Sequence, residues 1–380
     1  MKIAAVDHFL VHPQRGKNLC FVRLTTDEGI EGWGECYTQS DRDLQITAHI
    51  DQLRRYVVGR DPRLIKAFTQ GAFDDFSARR PAMDYYCAVS GIEQAMWDLT
   101  GKIAGQPVHA LLGGQVRDRV RVYANGWSGG AGSPEALGEK AVAMVESGFT
   151  AMKFDPVPGP WRTFIDKDTE RRTIANVQAV RAAVGPDIDL LIEMHRRLAP
   201  MHATRIAHAI ADMDPYWFEE PVLATNLDAL AEVRRDIRGT GMPVVTGEAL
   251  YGKADFRHVF ERAAADIINP DVCNVGGILE LREIAAMAEP YFVAVSPHNY
   301  NSTTVGLAAT IQASAGMPNC IITEYFVNFE DLGRELATPP LLAEDGYVAV
   351  PQTPGLGIEL DADALAAHPW EAFAPRSIGD

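Results

Sequence analysis

Three glutamates that follow one another along the second half of the chain could bind a metal ion. Glu193, Glu219 and Glu248 lie at or next to the ends of three successive apolar runs, in IDLLIE, YWFEE and PVVTGE. Carboxylate oxygens without thiolates or clustered imidazoles suit a hard cation such as Mg²⁺, which keeps water or substrate in its remaining positions. One charged residue at the end of a strand is common, but three in succession predict a metal site.

Two histidines have neighbours that suit proton transfer. His298 ends the run FVAVS in SPHN, and Asp271 ends ADIINPD, so adjacent strands would put them side by side. A carboxylate beside an imidazole fixes its tautomer and raises its basicity, as a general base requires. His195 lies two residues beyond Glu193, on the same side of a strand, and could act as an acid. For both histidines the alternative is a structural role.

Three further ionisable residues are predicted to contact a substrate. Lys153 and Asp155 flank Phe154 in AMKFDP and therefore face the same way along an extended chain, and Glu324 ends CIITE. The lysine could be a base, a contact to a substrate carboxylate or the partner of a neighbouring acid. Glu324 could hydrogen-bond a reaction intermediate or orient a hydroxyl, and a plain surface role stays open.

The elements that must position these residues are short strands that alternate with amphipathic helices from about Val120. This alternation indicates parallel strands with helical crossovers. Eight such strands suggest a closed (β/α)₈ barrel, whose active site lies at the carboxyl ends of the strands. The runs are VRVYAN, AMKF, IDLLIE, YWFEE, PVVTGE, ADIINPD, FVAVS and CIITE. The segment DPVPGPWRTFIDKD is a candidate loop over the site.

The rest of the chain predicts a second domain. Alternating strands precede a helix over MDYYCAVSGIEQAMWDLTGKIA, which is typical of an α+β module. The tail contains GYVAVP and GLGIELD as possible strands that return to this module. The predicted divisions are a capping domain over 1–118, a barrel over 119–328 and a C-terminal return over 329–380.

Composition excludes several classes of protein. A formal net charge of −16 without a basic cluster argues against nucleic acid as a partner. The cysteines are odd in number, scattered and never in C-x-x-C spacing, which argues against disulfides and a zinc site and favours the cytoplasm. The N-terminus lacks the features of a signal peptide, and no apolar run of about 18 residues predicts a membrane span.

The order of the motifs K-x-D, E-x-H, E-E-P, G-E, P-D, P-H-N and T-E resembles the mandelate racemase and muconate lactonizing branch of the enolase superfamily. GWGE and SGIEQAMWDLTGK resemble the capping domain of that family. YANGW, KFDP and LIEMH are most similar to the gluconate and galactonate dehydratases. The resemblance implies Mg²⁺ on Glu193, Glu219 and Glu248, not on Glu220, with His298 and Asp271 as the base and His195 as the acid. It also implies symmetric homo-oligomers.

The function that the resemblance implies is removal of the proton alpha to a carboxylate, followed by loss of the beta-hydroxyl of an aldonate-type sugar acid. The same residues could run a racemisation, an epimerisation or a cycloisomerisation, with Lys153 opposite His298. A barrel that binds metal and ligand without turnover is the remote alternative. A metal hydrolase would want histidine-rich ligands, which the strand ends lack.

Two departures from the dehydratase pattern concern the substrate. His195 is followed by Arg196 where those enzymes have glycine, and Ala249 replaces an arginine after the third glutamate. Specificity is expected from the loop PQRGKN and from the insertion that carries Trp161 and Arg162. The cations of these loops suggest an anionic or polyhydroxylated distal group, or they are solvated loop charges.

Overall fold

The computed structural model describes residues 1–38, 42–77, 82–300 and 302–374. Its first part is an antiparallel sheet of three strands, covered by helices, as the α+β prediction requires. Its elements are β1 (Ile3–Val11), β2 (Leu19–Thr26), β3 (Glu31–Cys36), α1 (Asp43–Val57), α2 (Ile65–Ala72), α3 (Met83–Ala104) and α4 (Val108–Leu111).

The helix predicted over MDYYCAVSGIEQAMWDLTGKIA is confirmed as α3, which ends at Gly105 in a left-handed conformation with φ of 65°. Its apolar stripe packs on β3. A Cβ atom at Gly34 would lie 1.8 Å from the carbonyl oxygen of Gly91, so only glycine permits this approach of strand and helix.

The second part is the predicted barrel, and its eight parallel strands are confirmed. The spatial order follows the sequence, the last strand pairs with the first, and a bridge between Val295 and Cys320 closes the remaining gap. The strands are β4 (Arg119–Asn125), β5 (Ala151–Phe154), β6 (Asp189–Glu193), β7 (Trp217–Glu219), β8 (Val244–Thr246), β9 (Ile267–Ile268), β10 (Ala294–Val295) and β11 (Thr323–Phe326). The intervening helices are α5 (Pro134–Glu146), α6 (Lys167–Val184), α7 (Pro200–Ile210), α8 (Leu227–Asp236), α9 (Gly252–Glu261), α10 (Ile278–Ala288) and α11 (Val305–Ala315).

The tail contacts both parts of the molecule. Strand β13 (Tyr347–Ala349) continues the barrel sheet by pairing antiparallel with β4, whereas Pro369 bridges to Val11 of the capping sheet. The tail comprises α12 (Glu330–Leu336), β12 (Ala337–Thr338), β13 (Tyr347–Ala349), β14 (Glu359–Leu360) and α13 (Ala362–Ala366). The predicted domain divisions fall at 118, just before β4, and at 328, just after β11. No helix among the described residues is long and apolar enough to cross a membrane.

A buried glutamate of the capping sheet joins the two parts near the strand ends. Glu35 Oε2 accepts hydrogen bonds from Ser302 Oγ at 2.7 Å, Thr304 Oγ1 at 3.3 Å and the backbone N–H of Gly306 at 2.8 Å. Gly306 lies in the first turn of α11. Burial raises the pKa of Glu35 from 4.5 to about 7, although the hydrogen bond from Gly306 opposes the rise.

Replacing Glu35 by glutamine is therefore expected to change how stability depends on pH. A pKa that is higher in the folded chain gives stability that is full below pH 4.5 and is lost as pH rises to about 7. Glutamine does not titrate, so the free energy of unfolding of Glu35→Gln relative to the wild type should rise by roughly 2 kcal/mol between about pH 5 and pH 8. Urea unfolding followed by circular dichroism measures the difference.

The exposed Glu146 provides the control for the loss of one negative charge. Glu146→Gln measures how far the loss of one negative charge alone changes the free energy of unfolding, and Glu35→Gln is compared with it at each pH. A constant difference for Glu35→Gln would show that the carboxyl of Glu35 titrates alike in folded and unfolded chains.

Candidate active site

The three predicted metal ligands meet at the carboxyl ends of adjacent strands. Glu193 and Glu219 are register partners at the ends of β6 and β7, and Glu248 lies two residues beyond β8. One ligand oxygen of each lies within 4.8 Å of the others, and all three side chains are buried. Adjacent parallel strands bring together residues that are far apart in the sequence.

These residues fit a divalent cation. The donors are all carboxylate oxygens, which suits a hard ion. The Oε2 atom of Glu193 is buried and accepts no hydrogen bond, so its lone pairs are available to a ligand. Glu219 is held by the buried side chains around it, since its Oε1 accepts from Asn269 Nδ2 at 2.9 Å and its Oε2 from Trp217 Nε1 at 2.8 Å.

Lys153 neutralises part of this acidic cluster. Its Nζ lies 2.8 Å from Glu219 Oε1, 3.6 Å from Glu193 Oε2 and 3.3 Å from Glu324 Oε1. Buried carboxylates whose oxygens lie within 4.8 Å of one another repel strongly, and the ammonium group of Lys153 reduces that repulsion. Lys153 is therefore a partner of neighbouring acids, which is one of the three roles that the sequence left open.

His298 and Asp271 form the predicted pair. The two residues bridge directly between their strands, and His298 Nδ1 lies 2.7 Å from Asp271 Oδ2. The other ring nitrogen, Nε2, lies 3.3 Å from Glu248 Oε2 and 3.4 Å from Glu324 Oε2. Burial alone would lower the pKa of His298, but the carboxylates of Glu324, Glu248 and Asp271 outweigh it and raise the pKa to about 9.

His195 belongs to a second histidine and carboxylate pair. Its Nδ1 lies 2.7 Å from Asp155 Oδ2, and its backbone N–H donates to Glu193 Oε1 at 2.6 Å. Burial opposes the charged form, yet Glu193 and Asp155 raise the pKa of His195. Arg197 also donates to Asp155, and its guanidinium lies 4.4 Å from the ring centroid of Trp161.

Asp155 contacts His195 and Arg197, two neighbours that the sequence argument did not assign to it. The contact of Asp155 with substrate beside Lys153 stays a prediction, and in the structure its carboxylate is hydrogen-bonded to His195 and Arg197. Strand β5 ends at Phe154, so the same-face argument for two residues in a strand does not extend to Asp155.

A cavity of about 520 Å³ lies over this arrangement, between the capping domain and the strand ends. It is lined by Lys17, Tyr37, Asn125, Lys153, Trp161, His195, Arg196, Glu248, His298 and Tyr300. The wall contains both histidines, so a single bound molecule can face both of them. Trp161 comes from the insertion that was predicted to lie over the site, whereas Arg162 is exposed and donates to the carbonyl oxygen of Trp161.

Comparison with known sequences assigns the chain. The family model for the mandelate racemase / muconate lactonizing enzyme N-terminal domain matches residues 7–113. The family model described as enolase C-terminal domain-like matches residues 136–364. The chain belongs to the mandelate racemase and muconate lactonizing family of the enolase superfamily.

Relatives within this family include several named dehydratases. D-gluconate dehydratase of Thermoproteus tenax is 36% identical over 91% of this chain and 69% of its own length. D-xylonate dehydratase of Haloferax volcanii is 34% identical over 91% and 84%. D-galactarolactone cycloisomerase of Agrobacterium fabrum is 32% identical over 96% and 98%. A solved structure of a mandelate racemase/muconate lactonizing enzyme from Jannaschia sp. is 34% identical, covers 99% of both chains and has a TM-score of 0.89.

Some residues of this enolase-superfamily site were missed by the sequence argument. Asn125 ends β4 and donates to Glu324, and its place at the end of the first barrel strand was an available signal. Arg196 donates to Glu248, and one of its nitrogens lies 3.6 Å from Glu220 Oε2. Arg196 has a φ of 62°, which favours glycine, the residue expected there from the dehydratase pattern. Tyr300 had no signal because its loop has no regular pattern.

Proposed function

We propose that the protein dehydrates a sugar acid by removing the proton alpha to its carboxylate and expelling the beta-hydroxyl. The observation that carries this proposal is the pair of histidines in one cavity wall, each hydrogen-bonded to its own carboxylate beside the glutamate cluster. Dehydration needs a base for the proton and an acid for the departing oxygen, and His298 and His195 supply one of each.

Glu193, Glu219 and Glu248 would hold Mg²⁺. A cation held there would share the negative charge that develops on the substrate carboxylate as the alpha proton leaves, a contribution of several kcal/mol in a dry site. Asn269 supports the cluster, because its Nδ2 donates to Glu219 and its Oδ1 accepts from the backbone N–H of Glu248 at 3.1 Å.

The neutral form of His298 takes the alpha proton on Nε2, since Nδ1 is hydrogen-bonded to Asp271. A cation held by Glu248 would weaken the attraction of that carboxylate for the His298 proton and so favour the neutral form. Asp271 keeps the ring in this orientation and stabilises the imidazolium that forms. Asp271 is itself fixed, because its Oδ1 accepts from the backbone N–H of Cys273 at 2.7 Å. The base is therefore oriented before the substrate arrives.

His195 gives its proton to the beta-hydroxyl as the carbon–oxygen bond breaks, so the hydroxyl leaves as water. The enol that remains tautomerises to a 2-keto-3-deoxy acid. Asp155 holds Nδ1 of His195 and leaves Nε2 for the substrate. Lys153 and Glu324 are placed to contact the substrate carboxylate and a hydroxyl, since Glu324 lies between Lys153 and His298.

The dehydratases among the relatives support this reaction, since gluconate and xylonate are sugar acids. The cycloisomerase relative favours a second candidate, an isomerisation that shares the first proton abstraction but needs no dehydration. The discriminating experiment incubates the Mg²⁺-loaded protein with sugar monoacids and diacids. It measures 2-keto-3-deoxy products by mass spectrometry and alpha-proton exchange in heavy water by NMR.

Replacing His195 by glutamine separates the two reactions. We expect formation of the keto acid to fall by roughly 10²–10⁴-fold, the usual contribution of a general acid. Alpha-proton exchange should stay within a few-fold of the wild type, because His298 remains intact. Equal losses of both signals would mean that His195 acts on the first step and would favour an isomerase.

A matched control is available in the same barrel. His202 of α7 forms a similar pair, with its Nδ1 2.6 Å from Glu170 Oε1, but it does not line the cavity. His202→Gln should leave the ratio of dehydration to exchange unchanged.

A further inference from the structure

The capping domain contributes a lysine to the wall of the cavity. Lys17 is half-buried and lines the cavity beside Tyr37, and its Nζ lies 4.7 Å from the ring centroid of Tyr300. The Tyr300 ring is stacked against His298 at a centroid distance of 6.2 Å. An ammonium group thus lies on the cap side of the site, beyond the reacting groups of the barrel.

The backbone next to Lys17 is held in place. Asn18 is 1% exposed, and its Nδ2 donates to Asp43 Oδ2 at 2.7 Å and to the carbonyl oxygen of Glu371 at 2.8 Å. Thr38 Oγ1 donates to the carbonyl oxygen of Asn18. These bonds tie the residue after Lys17 to α1, to the segment after β3 and to the tail. These hydrogen bonds fix the backbone next to Lys17, whereas the backbone of a solvated loop residue lacks such bonds.

Two further cations of the cavity wall lie at the barrel end of the site and contact the glutamates there. Lys153 contacts Glu193, Glu219 and Glu324, and Arg196 contacts Glu248 and Glu220. These two residues thus counter the charge of the metal end of the site. Arg15, two residues before Lys17, is exposed and is not part of the cavity wall.

We propose that Lys17 binds a second carboxylate at the far end of the substrate, so that the protein prefers sugar diacids to the matching monoacids. The inference rests on the proposed function for the first carboxylate, which the glutamate end of the site receives. An ammonium and a carboxylate form a charge-assisted hydrogen bond about twice as strong as the bond to the neutral hydroxyl of a monoacid. Partial burial strengthens the preference, because it reduces screening by water.

The test measures binding without turnover. In a His298→Asn background with saturating Mg²⁺, titration calorimetry compares glucarate, galactarate and mannarate with gluconate, galactonate and mannonate. We expect at least one diacid to bind about tenfold more tightly than its monoacid. Adding Lys17→Met should remove that preference by weakening the diacid, with the monoacid changed less than about threefold, and Lys17→Arg should retain it.

Arg15→Met is the matched control, since it removes the same charge two residues away, and it should keep the preference for the diacid. Equal weakening of diacid and monoacid by Lys17→Met, an equal effect of Arg15→Met, or no preference in any pair would overturn the assignment. If binding favours the diacid and depends on Lys17, but the protein yields no keto acid from any sugar acid, the dehydratase proposal is wrong and the proposal of a diacid site is retained.

Discussion

Replacing His298 by asparagine is expected to reduce the rate of alpha-proton exchange by roughly 10²–10⁴-fold, because the base is lost. The reason lies in the geometry: His298 lines the cavity and its Nδ1 is bound to Asp271, which leaves Nε2 as the nitrogen that can accept the proton. Exchange in heavy water, followed by NMR with a sugar acid that the product screen identifies, measures the effect. The keto acid should disappear in parallel, since elimination follows proton abstraction.

The same variant should still bind Mg²⁺, because His298 is not among the proposed ligands. A Mg²⁺-dependent rise in melting temperature equal to that of the wild type would show this. Asp271→Asn provides the graded comparison, since it keeps the imidazole but weakens its orientation, and a smaller loss is expected. Normal exchange in His298→Asn would transfer the role of base to another group, with Lys153 the first candidate.

Replacing Glu193 by glutamine is expected to weaken Mg²⁺ binding by more than about 100-fold, since loss of a supporting residue alone typically costs 10–100-fold. Glutamine keeps the size of the side chain and an oxygen that can accept the hydrogen bond from the His195 backbone N–H. It removes the negative charge of a proposed ligand. Titration calorimetry with Mg²⁺ gives the dissociation constant. The melting temperature should no longer respond to Mg²⁺ concentrations that stabilise the wild type.

The adjacent buried glutamate provides the control. Glu220 Oε1 accepts from Thr246 Oγ1 at 2.5 Å and from the backbone N–H of Gly247 at 3.0 Å, and Glu220 is not one of the clustered triad. Glu220→Gln should change Mg²⁺ affinity by less than about tenfold. A similar loss in both variants would mean that overall negative charge, rather than a defined set of ligands, attracts the ion.

Much of the fold was predictable because its signals are local. Each barrel strand is a short apolar run, and a polar or ionisable residue near the end of several of them marks the carboxyl edge, as at Glu193 and Glu219. Helix α3 was predictable from its periodic apolar positions and from Gly105. The pairing of Asp271 with His298 followed from the order of neighbouring parallel strands.

The contacts of the loops were not predictable in the same way. Arg196 reaches Glu248 because two successive residues adopt left-handed conformations after β6, and no sequence pattern reports such a turn for His195 and Arg196. Asp155 was placed by extending the strand beyond its end. Lys17 required a structure for the same reason, since its position depends on Asn18 and on a tail residue more than 350 positions away.

The buried bonds between cap and barrel bear on how substrate reaches the cavity. Glu35 accepts hydrogen bonds from Ser302, before α11, and from Gly306 in its first turn, and the backbone N–H of Tyr37 donates to the carbonyl oxygen of Cys273 at 3.0 Å. Opening the cap as a rigid lid would break these bonds at the buried seam, where an unpaired polar group costs about 1–3 kcal/mol each. Substrate is therefore expected to enter by local motion of the segment around Trp161, without separation of the cap from the barrel.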